Sequence, residues 1–315
     1  MPTSENQTEL PDWEELLSSL CRQQGILPDV GFDASAARLH AGCFSSRNRD
    51  LPDLRSHFDN VLRQLEEVAG LTIARTPRQV SILGRLDGIE TGIRQLRRNT
   101  PLETMTWAFR DQPLTVPTPA ESLRIKVWLA LTRNAARDYL DAVALADSLG
   151  ERTTIEALMK MDELCPQENG SWSVRTQMVK QFAEPRPYDL DEVDLGKYKG
   201  VKPPYNSWSH MIQRCSDLAV RLIFAFRSTG QVLAHRHLNH NRFTLAAIDD
   251  IIERGQLPEW QPLLAAIRRD PHGEIAEKTL KICRAHPVYG GTRVFRDFIE
   301  WCRRERERGQ QDSVD

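Results

Sequence analysis

Lys126, Arg133 and Arg137 lie at intervals of seven and four in the string Arg124-Ile-Lys-Val-Trp-Leu-Ala-Leu-Thr-Arg-Asn-Ala-Ala-Arg-Asp-Tyr-Leu-Asp141. A nearly continuous helix would set all three cations on one face. Clustered cations can neutralise phosphate oxygens. Arg137 and Asp141 stand one turn apart and suit an exposed salt bridge equally well. Spacing alone leaves both readings open, the solvated face being the commoner arrangement. Arg94, Arg97 and Arg98, on or after an expected strand, form a second cationic group that could touch nucleic acid, or else solvated strand-end charges. Lys197-Tyr-Lys-Gly-Val-Lys-Pro-Pro-Tyr205 mixes cations with rings that could stack on RNA, although its prolines equally suit a linker packed over a domain. His235-Arg-His-Leu-Asn-His240 brings three imidazoles together without a Cys or acidic co-ligand, which fits a polar loop or helix end better than a metal site.

These residues need elements to position them. Thr118-Pro119-Ala120-Glu121 supplies an N-cap, a proline at the first helical position and a glutamate placed to complete a capping box. The helix it opens runs to about residue 132. After a polar break at Arg133-Asn134, a second helix continues to Leu149 and is closed by Gly150. Upstream, helical spacing marks 11–24 and 54–68, the latter with Leu54, Phe58, Val61, Leu62 and Leu65 on one face. Between 72 and 116 the chain breaks into short β-branched segments. Residues 80–83, 89–96, 103–109 and 114–116 read as strands, the last two as a hairpin across Arg110-Asp111-Gln112. Beyond 150 the pattern is almost wholly helical, with a proline-rich linker at 184–204 and breaks at Gly255, Pro271-His-Gly and His286-Pro-Val-Tyr-Gly-Gly. Trp208, Leu218, Leu222, Phe224 and Phe226 read as helical core.

The 315 residues suffice for two or more domains, and with 40% hydrophobic and 27% charged residues the chain reads as soluble. No apolar run approaches the roughly 18 residues of a membrane span, and the polar Met1-Pro-Thr-Ser-Glu-Asn start is no secretory signal, so a cytoplasmic protein is expected. A net charge of −2 gives no global case for nucleic-acid binding. Six scattered cysteines without a C-x-x-C pair are expected to be reduced and mostly buried.

The 124–141 string resembles the Lys…Arg-Asp-x-x-Asp signature of AbiEii-type nucleotidyltransferases, toxins of toxin–antitoxin and phage-defence systems. The similarity extends to Ile82-Leu-Gly-Arg-Leu-Asp-Gly-Ile-Glu-Thr-Gly-Ile-Arg-Gln-Leu, to Pro101-Leu-Glu-Thr and to Val179-Lys-Gln-Phe-Ala-Glu-Pro-Arg-Pro-Tyr-Asp-Leu, covering about residues 12–225. The resemblance implies an α+β fold with a nucleotidyltransferase-type mixed sheet flanked by helices, followed by a helical C-terminal region. It implies transfer of a nucleoside monophosphate from an NTP to an acceptor such as tRNA, with Mg²⁺. In such a site Lys126 would hold the triphosphate, Arg133 and Arg137 would support its charge or contact RNA, and Asp138 would be the conserved acid. Asp141 would orient an arginine.

The same resemblance implies a glycine pair, a short helix and an Asp-x-Asp metal pair, whose spacing of two puts both carboxylates on one strand face. Here these read Gly31-Phe32, a helix 34–41 containing Ser35, and Ser46-Arg47-Asn48-Arg49-Asp50. Asn48 stands where the first carboxylate belongs and supplies an oxygen without charge, while Arg47 and Arg49 add positive charge. Asp50 and Asn48, with Glu90 or Asp87 as third acid, form the implied metal set, and Gly31, Ser35, Ser46 and Arg94 join the nucleotide- or RNA-binding set. The expected domains are 1–117, 118–240 and 241–315. The last loosely resembles small helical proteins encoded beside such transferases and so is expected to be a partner or antitoxin-like module. The alternative is a catalytically inactive relative that binds a protein or RNA.

Overall fold

The computed structural model describes residues 58–59, 62–63, 66–67, 70–76, 81–86, 89–94, 100, 102–109, 112–165, 173–192, 194–195, 201–226 and 243–311. The chain divides into two compact units, Met1–Ile125 and Lys126–Asp315. It is an α+β protein in which helix predominates.

In the first unit, β1 (Leu71–Arg75), β2 (Ser81–Leu86) and β3 (Ile89–Arg94) form an antiparallel meander, and β4 (Thr104–Phe109) pairs with β5 (Gln112–Pro117) as a separate hairpin. Every pairing among the described residues is antiparallel, where a mixed sheet was expected. Only two residues separate β2 from β3 and β4 from β5, and so short a connection cannot carry a parallel crossover. Asp87-Gly88 is the pair a tight hairpin favours. β1 was not anticipated as a separate strand, and it shifts register between Ile73 and Arg75. Gly84 is required where β2 crosses β1, because a Cβ there would lie 2.4 Å from the Thr72 carbonyl oxygen. Phe58, Asp59, Leu62, Arg63 and Glu66 are helical, as the 54–68 spacing anticipates, and Phe58 is buried.

Helix α1 (Pro119–Arg133) starts where its cap predicts, with the Glu121 N–H donating to Thr118 Oγ1 at 3.2 Å. The Glu121 carboxylate is fully buried and accepts from Arg124 at 2.9 Å and from the Glu103 N–H at 3.4 Å. The cap thus ties the helix start to the foot of β4.

The second unit continues through α2 (Ala136–Leu149), α3 (Glu151–Met159), α4 (Met161–Leu164), α5 (Val174–Ala183) and α6 (Trp208–Ala225). It ends with α7 (Leu245–Arg254), α8 (Leu257–Arg269), α9 (Glu274–Ala285) and α10 (Gly291–Gln311). Gly150 closes α2 at φ 76°, and the breaks at Gly255, 271–273 and 286–290 fall where the sequence places them. The core between these helices is aromatic and aliphatic. Tyr139 meets Phe182, Trp260 meets Phe295, and Phe224 stacks on Phe298 at 4.8 Å. Cys165, Cys215, Cys283 and Cys302 are buried, as expected, and are not joined in disulfides. Among the described residues no helix is long and apolar enough to cross a membrane.

Candidate functional site

Lys126 lies on α1 at 3% exposure, and its Nζ sits 2.6 Å from Asp141 Oδ2 on α2. Asp138, 2% exposed, occupies the first turn of α2, where a carboxylate is favoured by the helix dipole. Because Asp138 and Asp141 are three residues apart on one helix, they share a face. A lysine and two acids are therefore gathered at the α1–α2 junction with little access to water. Asp141 was expected to orient an arginine one turn away; the ion pair it makes in the structure is with Lys126 of the preceding helix.

The cations do not form one helical stripe. Asn134 and Ala135 leave the helix, with Asn134 at φ 54° and Ala135 extended at φ −93°, ψ 141°. The seven-then-four spacing therefore spans two helices. Arg133, the last residue of α1, is exposed, and Arg137 in the first turn of α2 is half-buried.

What holds this break is a segment about fifty residues away. Asn134 donates from Nδ2 to the Arg186 carbonyl at 2.6 Å, and its own carbonyl accepts from the Tyr188 N–H at 3.0 Å. Its Oδ1 accepts from the Tyr139 hydroxyl at 2.6 Å and from Gln181 Nε2 at 3.1 Å. Gln181 also donates to Tyr139 Oη and to the Ala130 carbonyl, both at 2.7 Å. Asp189 Oδ1 accepts from the Ala136 N–H at 2.7 Å, filling the capping role that Ala135 cannot. Burial raises the Tyr139 phenol above its ordinary range, so it remains a donor to Asn134 at any working pH. Of this clasp, the sequence marked Asn134 as part of a polar break, and Gln181, Arg186, Tyr188 and Asp189 only as members of the 179–190 string.

Among the remaining candidates, Glu90 lies on β3 in register with Arg85, and Arg94 ends that strand opposite Ser81. Gly31, Ser35, Ser46, Asn48, Asp50, Asp87, Arg97, Arg98 and the 235–240 histidines lie outside the described residues. At the end of the 197–205 segment, Tyr205 donates to Asp147 at 2.9 Å, and Asp147 also takes Arg214, so this ring serves the helical packing. No group of three or more His, Cys, Asp or Glu among the described residues is placed to hold a metal.

In the sequence, Lys180 stood out only as a member of the 179–190 string. It is buried on α5, reaches the Glu253 carbonyl at 3.5 Å and lies over the Trp260 ring at 5.4 Å. Burial lowers its ammonium from 10.5 to about 8. Between those values the unfolded chain holds more protons than the folded one, so stability should rise with pH across that window. In denaturant titrations from pH 7 to 10, Lys180→Met should lose that increment. Parallel curves for wild type and variant would refute the assignment.

No protein-family model and no solved structure matches the chain. Over 130 residues it is 33% identical to the heme uptake protein MmpL11 of Mycobacterium tuberculosis (strain ATCC 25618 / H37Rv) and to the probable transport protein MmpL11 of Mycobacterium bovis. It is 29% identical over 130 residues to the mycolic acid-containing lipids exporter MmpL11 of Mycolicibacterium smegmatis. The shared stretch is about 40% of this chain and spans 13% of the length of these relatives.

Proposed function

We propose that the chain is an AbiEii-like nucleotidyltransferase acting in the cytoplasm within a toxin–antitoxin or defence system. It would transfer a nucleoside monophosphate from an NTP to an acceptor hydroxyl, with tRNA as the acceptor class the resemblance suggests. In that step the acceptor oxygen bonds to the α-phosphorus, the bond to the β-phosphate breaks, pyrophosphate leaves and the acceptor proton passes to a base. The observation that supports the reading is the buried Lys126–Asp141 pair with Asp138 three residues away. A buried ion pair is a weak stabiliser compared with packed apolar groups, so chemistry is the better reason for keeping one. Lys126 would meet the triphosphate by exchanging its carboxylate partner for phosphate oxygens, while Arg133 and Arg137 carry charge at the edge. Mg²⁺ would neutralise phosphate charge, and for it the resemblance supplies Asp50, Asn48 and Glu90.

A second reading, an inactive relative that binds a protein or RNA partner, has its own support. Asp141 already occupies Lys126, and the shared stretch belongs to relatives named for transport rather than transfer.

Incubation of the protein with each labelled NTP, Mg²⁺ and total tRNA separates the two. Label in the RNA is expected, and its absence together with no NTP-dependent rise in Tm would sink the enzyme reading. The double variant Lys126→Met/Asp141→Leu removes both charges at similar volume and should fold yet transfer nothing. Transfer by that variant would refute the role given to Lys126.

A further inference from the structure

We propose that the strap at 184–192, with the Tyr289 turn beside it, is a docking surface for a protein segment carrying basic residues. The strap alternates: Pro185 and Pro187 are buried, Arg186 and Tyr188 exposed, the pattern of an extended segment fixed on one side. Tyr188 is 73% exposed and Tyr289 44%, two of the three large apolar side chains that stand out from the described surface. The Arg186 guanidinium lies 5.1 Å from the centre of the Tyr289 ring and also pairs with Glu184. Tyrosine and arginine are among the residue types most enriched at binding hot spots, where they give large contact area for little conformational freedom lost.

Here that freedom is already removed. Asn134 holds the strap through the Arg186 carbonyl and the Tyr188 N–H. The Tyr289 turn is pinned by the Gly290 N–H donating to Glu184 Oε2 at 2.8 Å. Gly290, at φ 67°, presses so closely on α5 that a Cβ would lie 2.4 Å from the Lys180 carbonyl oxygen. An open Tyr188 ring beside an arginine-covered Tyr289 ring, both on a rigid mount, is preorganised for a partner.

The charge along the strap and just beyond it selects its type. From 184 to 195 the chain carries Glu184, Asp189, Asp191, Glu192 and Asp194 against Arg186 alone, and Asp191, Glu192 and Asp194 are exposed. Such an acidic stretch repels a phosphate backbone and attracts lysine and arginine. The inference does not depend on nucleotidyl transfer, since it concerns residues outside the Lys126 site.

The test is selection of a random 16-residue peptide library on the full-length protein, with counter-selection on Tyr188→Ala/Tyr289→Ala. Recovered peptides should be rich in Lys and Arg, should bind the double variant at least about ten-fold more weakly, and should weaken as salt rises. The variant's Tm should match that of wild type. No enrichment, enrichment of acidic or neutral peptides, or equal binding by the variant would overturn the proposal. A random single-stranded RNA pool run in parallel should treat wild type and the double variant alike; RNA bound by wild type and lost in the variant would assign the surface to nucleic acid instead.

Discussion

Replacing Asp141 with Ala is expected to destabilise the protein by about 3–5 kcal/mol, because it removes the carboxylate 2.6 Å from the buried Lys126 ammonium. Lys126 is 3% exposed and Asp141 13%, so water cannot easily take over the pairing. The loss is expected from unbalancing a buried charge rather than from the strength of the bond. For that reason Lys126→Met/Asp141→Leu should return to within about 1 kcal/mol of wild type, or exceed it, as buried pairs replaced by packed apolar groups commonly do. Urea midpoints of the two single variants and the double variant form a cycle. If Asp141→Ala costs under about 1 kcal/mol, the pair is solvated and the charge argument fails.

Asn134→Ala should cost about 2–4 kcal/mol, in two separable parts. Alanine held at the φ of 54° that Asn134 adopts carries about 1 kcal/mol of strain. Loss of Oδ1 also deprives the buried Tyr139 hydroxyl of its acceptor, worth about 1–3 kcal/mol. Asn134→Gly removes the same side-chain bonds but accepts the backbone, so it should be about 1 kcal/mol milder than Ala. Equal midpoints for Ala and Gly would show that the backbone conformation is not strained. A mild effect in both would show that the clasp contributes little.

The two halves of the molecule were unequally legible in the sequence. Helix α1 announced itself through Thr118, Pro119 and Glu121, and α2 through its end at Gly150, because caps are local chemistry written in adjacent residues. The breaks at 255, 271–273 and 286–290 were visible for the same reason. β1 was missed because Leu71–Arg75 is short and irregular, and its strand character comes from pairing with β2 rather than from its own alternation. At the candidate site, Lys126 and Asp138 were visible as residues of a motif, but their burial was not. The pairing of Lys126 with Asp141 depends on how α1 turns into α2, and that turn is set by Gln181, Arg186, Tyr188 and Asp189. Residues 50 positions apart leave no mutual trace in one sequence. The motif string and the 179–190 string were both noticed, yet nothing in either said that they touch.

The clasp also has a topological meaning. Its bonds to the strap join positions 52 to 54 residues apart, so it acts as a non-covalent cross-link closing a ring that contains α2 to α5. Closing a ring of that size is costly, but the cost grows only with the logarithm of its length, about 0.6 kcal/mol for each doubling. Within the ring the chain is consequently free to lengthen between helices at small expense. At its seam, a single residue inserted between Arg186 and Asp189 would throw the carbonyl, amide and carboxylate out of register with Asn134 and Ala136 together.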